Sequence, residues 1–183
     1  MTKRFPPFDP DDVTRGRLFQ LPQIPIRAIL PNLVTLVALI AGLTAIRMAV
    51  EGKFDLAIYA IISAAILDGI DGRVARLLRA TSRFGAQLDS LTDFVNFGVA
   101  PALVVYIWSL HDLKSVGWMV AMVFAICTGL RLARFNVGLD GPAKPDWQAG
   151  DFVGIPAPGG AVTVLLPIYL EFLGAPHRFW TAP

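Results

Sequence analysis

Charge is scarce in this chain, and so are the residue types that mark many soluble active sites. Only 16% of the 183 residues are Asp, Glu, Lys or Arg, and a formal net charge of +2 is too small to argue for a nucleic-acid partner. With one cysteine, Cys127, no intramolecular disulfide can form; its place in an apolar segment reads as packing. The two histidines, His111 and His177, lie near segment ends with no ligand spacing between them, and read as interfacial residues. No Asn-Gly hairpin ladder or ten-residue alternation marks a transmembrane β-barrel. Residues 1–28 lack the uninterrupted apolar stretch of a secretory signal.

What the chain has in quantity is apolar surface. It is 55% hydrophobic, with a mean hydropathy of +0.58, which points to an all-α polytopic transmembrane helical bundle. Five stretches approach the ~20 residues a helix needs to cross hydrocarbon: about 29–50, 54–78, 84–110, 115–137 and 152–173. Before them, residues 1–28 form an interfacial arm. Leu18, Phe19, Leu21, Ile24 and Ile26 mix there with Arg15, Arg17 and Arg27, as suits an anionic membrane surface. Pro22 and Pro25 limit any helix in that arm to a short amphipathic piece.

In the first span, Pro31 fits the opening turn. Asn32 and Thr35 share a face; capping accounts for Asn32 alone, substrate contact for both. Pro101 predicts a kink in the third span. A polar loop over 138–151 precedes the small and kinking residues 154–160, which permit close helix contact.

Basic residues alternate in position. The amino-terminal arm, residues 73–83 and residues 131–144 are rich in Arg and Lys, whereas the turns at 51–53 and 111–114 are poor in them. The positive-inside rule then puts the amino terminus and the 73–83 link in the cytoplasm.

Four aspartates stand inside or at the ends of these apolar spans, where a carboxylate is costly. Asp68, Gly72, Ala75 and Arg76 recur at helical spacing on one face, with Asp71 close to Asp68. Gly85, Asp89 and Asp93 repeat every four residues in the next span. A polar link, 77–84, lets the two helices turn back antiparallel, so that two acidic rows confront each other at one depth. Divalent cations with oxygen ligands resolve that repulsion. A lone intramembrane aspartate can instead pair with an arginine or a backbone group, but four at this spacing, interleaved with glycines, fit a ligand site better.

The pattern D-x2-D-G-x2-A-R-x8-G-x3-D-x3-D from Asp68 to Asp93 resembles the signature of the CDP-alcohol phosphatidyltransferases at every fixed position. The resemblance implies that Asp68, Asp71, Asp89 and Asp93 hold one or two Mg²⁺ or Mn²⁺ ions, and that Asp93 also accepts the proton of the incoming alcohol. It implies that Gly72, Arg76, Ser82 and Gly85, with Asn32 and Thr35, line the CDP-lipid. The family core has six spans, so residues 29–183 are expected to be its transmembrane domain lacking the sixth; a homodimer is expected from the family alone.

Three further stretches, 30–35, 129–136 and 152–158, look like the bacterial branch that uses CDP-diacylglycerol and L-serine, in the inner membrane with the site facing the cytoplasm. Arg131, Arg134, Asn136 and Asn96 are the acceptor-site candidates, Asn96 standing where that branch is expected to carry Ser. Glycerol 3-phosphate, inositol phosphate or choline are the alternative acceptors. A cation transporter would explain the aspartates but not Gly72, Ala75 and Arg76 at fixed offsets.

Overall fold

The computed structural model describes residues 26–77, 82–139 and 155–174; of residues 26–28, 75, 76, 83, 138 and 139 only the backbone is described. The interfacial arm up to residue 25, the polar loop from residue 140 and the opening of the fifth span to residue 154 lie outside the described residues. Every regular element among those described is helical: α1 (Ile26–Val50), α2 (Phe54–Leu77), α3 (Arg83–Asp93), α4 (Ala100–Trp108), α5 (Lys114–Leu139) and α6 (Ala157–Phe172). Residues Phe94–Val99 form a π-turn that joins α3 to α4 without a break.

Segments 29–50, 84–108 and 110–137 are long and apolar enough to cross a bilayer, and α6 is a shorter apolar helix. Helix α2 has the length, at 24 residues, but its second half carries Asp68, Asp71, Arg73 and Arg76, which lowers its hydropathy. The burial pattern is that of a membrane protein. Leu33, Leu36, Ile40, Leu43, Tyr59 and Ile66 lie on the surface, while Ala38, Ala45, Ala49, Ala57 and Ala64 are buried. Small residues between helices let backbones approach closely where lipid provides no hydrophobic drive to associate. Hydroxyls on the outer face bond inward: Thr44 to the Ile40 carbonyl at 2.7 Å and Ser63 to that of Tyr59 at 2.8 Å.

Helix α1 is the hub. It packs most extensively on α2, and also on α3, the π-turn and α4. At the end away from the aspartates, Ala45, Ala49, Ala57, Ile58, Ile61, Val104, Val105, Leu165 and Ile168 form one core from α1, α2, α4 and α6. The α1–α2 turn there is a Schellman closure. The Gly52 amide bonds the Ala49 carbonyl (3.0 Å), the Lys53 amide bonds that of Met48 (2.9 Å), and Gly52 takes φ +75°. Glu51 on this turn pairs with Lys53 (2.8 Å) and Arg47 (2.9 Å), which hold its carboxyl below the usual range.

The kink expected at Pro101 takes a definite form. Proline has no amide and its ring crowds the preceding turn, and directly before it the helix widens into the π-turn, where the Ala100 amide reaches the Val95 carbonyl five residues back. The extra residue turns α3 relative to α4, so that one continuous helix presents its acidic row to the site and its apolar row to the core. Helix α5 crosses at this turn: a Cβ on Gly129 would stand 2.9 Å from the Phe94 ring, and one on Gly98 would stand 3.3 Å from Thr128.

Candidate active site

The two acidic rows do confront each other. Carboxylate oxygens of Asp68, Asp71 and Asp89 lie within 4.8 Å of one another. Their helices meet only near these rows and share little packing surface. Helix α1 packs along both α2 and α3, while α2 and α3 approach each other only marginally. Facing carboxylates at this distance repel, and α1, packed on both helices, forms the floor of the cleft that holds them together.

Residues of α1 register both rows. The Thr35 hydroxyl lies 2.7 Å from Asp71 Oδ2 and 3.0 Å from the Pro31 carbonyl. The hydroxyl has one proton, and the shorter, charge-assisted bond to Asp71 takes it. One turn earlier, Asn32 sits against the first turn of α3. A Cβ on Gly85 would fall 2.9 Å from Asn32 Oδ1 and 3.1 Å from Ser82 Oγ, so a larger residue there would displace the Asn32 side chain. Ser82 is the N-cap of α3, accepting from the Gly85 amide at 2.9 Å. Asn32, Thr35, Ser82 and Gly85 thus line one side of the cleft. Gly72 lies at its outer edge, where a Cβ would meet nothing within 4 Å.

Asp93 stands apart from the three-carboxylate group but within hydrogen-bonding reach of Asp68. One of its oxygens, Oδ1, is buried without a partner, as are Thr92 Oγ1, Asn96 Oδ1 and Arg131 Nε. Orphaned polar atoms in a protein interior are uncommon. Three hard oxygen donors in mutual reach, beside an unpartnered carboxylate oxygen, fit a divalent cation of the Mg²⁺, Mn²⁺ or Ca²⁺ type and not a soft metal.

The acceptor candidates divide. Arg131 is partly buried, whereas Arg134 is exposed. Asn136 donates to Ser90 Oγ at 2.9 Å, tying the end of α5 to α3 between Asp89 and Asp93. Asn96 is fully buried and turned toward α1, its Nδ2 donating to the Ala38 carbonyl at 3.1 Å. The sequence reading missed Ala38, Gly42 and Ser90. A stripe of small residues at 38, 42, 45 and 49 was the available signal for the first two; Ser90 had none.

A polytopic helical membrane protein with an intramembrane carboxylate cluster at the mouth of a polar cleft is the class that fold and site define. Residues 28–182 match the model of the CDP-alcohol phosphatidyltransferase family, and the chain belongs to it.

Several curated relatives carry the name CDP-diacylglycerol–serine O-phosphatidyltransferase. The Mycobacterium leprae protein is 51% identical over 84% of this chain and 51% of its own length. The Helicobacter pylori protein is 40% identical over 77% of this chain and 57% of its own. The Bacillus subtilis protein is 33% identical over 75% of this chain and 73% of its own. The chain therefore spans about half the length of the first of these relatives.

Proposed function

We propose that the protein transfers the phosphatidyl group of CDP-diacylglycerol to L-serine, giving phosphatidylserine and CMP. The observation that carries this is the Asp68–Asp71–Asp89 cluster with Asp93 beside it, in a chain of this family; the names of its relatives favour serine as acceptor.

Asp68, Asp71 and Asp89 would hold Mg²⁺ or Mn²⁺, with Asp93 adjoining. Bound there, the ion neutralises the diphosphate and stabilises CMP as the leaving group. The serine hydroxyl oxygen forms a bond to the phosphorus that bears the diacylglycerol, and the bond from that phosphorus to the CMP oxygen breaks. Asp93 takes the hydroxyl proton, with its unpartnered Oδ1 as the accepting atom. The open face of Gly72 admits the CDP moiety close to the α2 backbone, and Arg76 supplies charge for its phosphates. The amino-terminal end of α3, capped by Ser82, adds a favourable dipole for the same phosphates.

A half-open cavity of about 230 Å³, lined by Ile62, Ile66, Phe97, Pro158 and Tyr169 among others, gives an acyl chain a path along α2. Ile62 lies six residues before Asp68 on α2, roughly 9 Å deeper along the axis. Arg131, with its buried unpartnered Nε, faces the serine carboxylate; Arg134 and Asn136 complete that end. The basic clusters orient the cleft toward the cytoplasm of a bacterial inner membrane, and a homodimer follows the family.

The test supplies the protein, in liposomes with CDP-diacylglycerol and Mn²⁺, with L-serine, glycerol 3-phosphate, inositol phosphate or choline in turn. Serine-stimulated CMP release is expected. Faster release with glycerol 3-phosphate removes the serine assignment, and metal flux without CMP release removes phosphatidyl transfer.

A further inference from the structure

Asn96 stands apart from the acceptor candidates. It is fully buried, and it reaches across to α1, where its Nδ2 shares the Ala38 carbonyl at 3.1 Å. One turn further along α1, Gly42 is matched to it: any Cβ there would run into the Asn96 carboxamide oxygen. The contact is made with α1's site-facing stripe. Thr35, Ala38 and Gly42 recur at intervals of three and four on one face, and Thr35 is the residue that holds Asp71. Helix α1 thus grips the acidic row of α2 and the helix bearing Asp93 at points about 4.5 Å apart along its axis.

Asn96 belongs to the π-turn, which begins at the residue after Asp93. A π-turn carries one residue more than the α-helical turn it replaces. Its relaxation to α-helix would rotate α3 against α4 by about 100°. Helix α4 cannot follow, since Val104 and Val105 are fixed in the main core. Earlier in α3, Ser90 is held to Asn136 of α5, so the rotation would fall on the last turn of α3, and Asp93 would swing away from Asp68 while Asp89 keeps its place.

We propose that Asn96 is a positioning residue: bonded to the Ala38 carbonyl and seated on Gly42, it locks the π-turn and thereby holds Asp93 beside the three-carboxylate cluster. For its effect on turnover the proposal rests on the phosphatidyltransfer reading; for its effect on the helix it does not.

The experiment uses the full chain in detergent and in liposomes, with Asn96→Leu, similar in size and lacking the donor. Turnover is expected to fall between about tenfold and a hundredfold, as for a misplaced reacting group. KM for CDP-diacylglycerol, and Mn²⁺ affinity measured by electron paramagnetic resonance without substrate, are expected to stay within about threefold. Amide hydrogen exchange over residues 94–99 is expected to rise. Asn96→Ser, which keeps a donor on a shorter arm, is expected to retain turnover within about threefold of the unaltered protein.

Gly42→Ala should reproduce the loss, and Gly42→Ala with Asn96→Ala should be no worse than Asn96→Ala alone, because both act through one contact. Unchanged exchange across 94–99 overturns the lock, as do additive losses in the double variant. A parallel fall of turnover, KM and Mn²⁺ affinity reduces Asn96 to general packing and overturns its positioning role. If the unaltered protein releases no CMP while exchange in Asn96→Leu still rises, the transfer reading fails and the lock stands.

Discussion

Removing the Thr35 hydroxyl tests how the cluster is held. Thr35→Val replaces the hydroxyl with a methyl group of similar size, in a side chain that is 5% exposed, beside an aspartate that is 3% exposed. The lost bond, 2.7 Å to Asp71 Oδ2, is charge-assisted. Hydrogen bonds to charged groups contribute about 1.5–3 kcal/mol. The helix itself loses nothing, because the Pro31 carbonyl keeps the Thr35 amide as its intrahelical donor. The cost therefore falls on the orientation of Asp71, and second-layer partners of metal ligands are worth about tenfold to a hundredfold in metal affinity or activity. We expect the Mn²⁺ concentration for half-maximal CMP release, and the Mn²⁺ dissociation constant measured without substrate, to rise by that factor. Thr35→Ser should restore both. A Thr35→Val protein that binds Mn²⁺ as the unaltered protein does would refute this account of Asp71.

The remaining expectations concern the carboxylates and the basic end of α5. Asp68→Ala and Asp89→Ala should abolish CMP release while the protein remains inserted; activity recovered at saturating Mn²⁺ would contradict the ligand assignment. Asp93→Asn keeps size and hydrogen bonding but cannot take the proton, so CDP-lipid should bind while turnover fails. Collapse of Mn²⁺ affinity in that variant would instead make Asp93 chiefly a ligand. Arg131→Gln should raise the serine KM about tenfold or more, as expected for a charged hydrogen-bonding partner, with Arg134→Gln affected less because Arg134 is exposed. Equal serine KM in the unaltered and Arg131→Gln proteins would remove Arg131 from the acceptor site.

The aspartate rows were legible because helical periodicity is a local property: spacings of three and four put Asp68 with Gly72, and Gly85 with Asp89 and Asp93, whatever surrounds them. Helix α1 was legible as a span for the same reason. Contacts across space carry no such signature. Nothing local to Thr35 marks Asp71 as its partner, and the short 77–84 link, which lets α2 and α3 turn back on each other, does not reveal that α1 packs along both. Pro101 announces a disturbed helix, but not whether it bends or widens. Asn96 entered the acceptor candidates through the resemblance alone, and no local feature announced the π-turn that turns it toward α1.

The cleft between α2 and α3 has a consequence for how the protein tolerates the loss of its cation. In many small metalloproteins the ion is the keystone, and a chelator unfolds the chain. Here each acidic row is moored separately to α1, and the principal core lies at the opposite end of the bundle. Stripping the ion leaves the walls standing, with their mutual repulsion borne by a third helix. Chelation should act on this protein as a reversible brake, leaving its helical content intact and returning full activity when Mn²⁺ is restored.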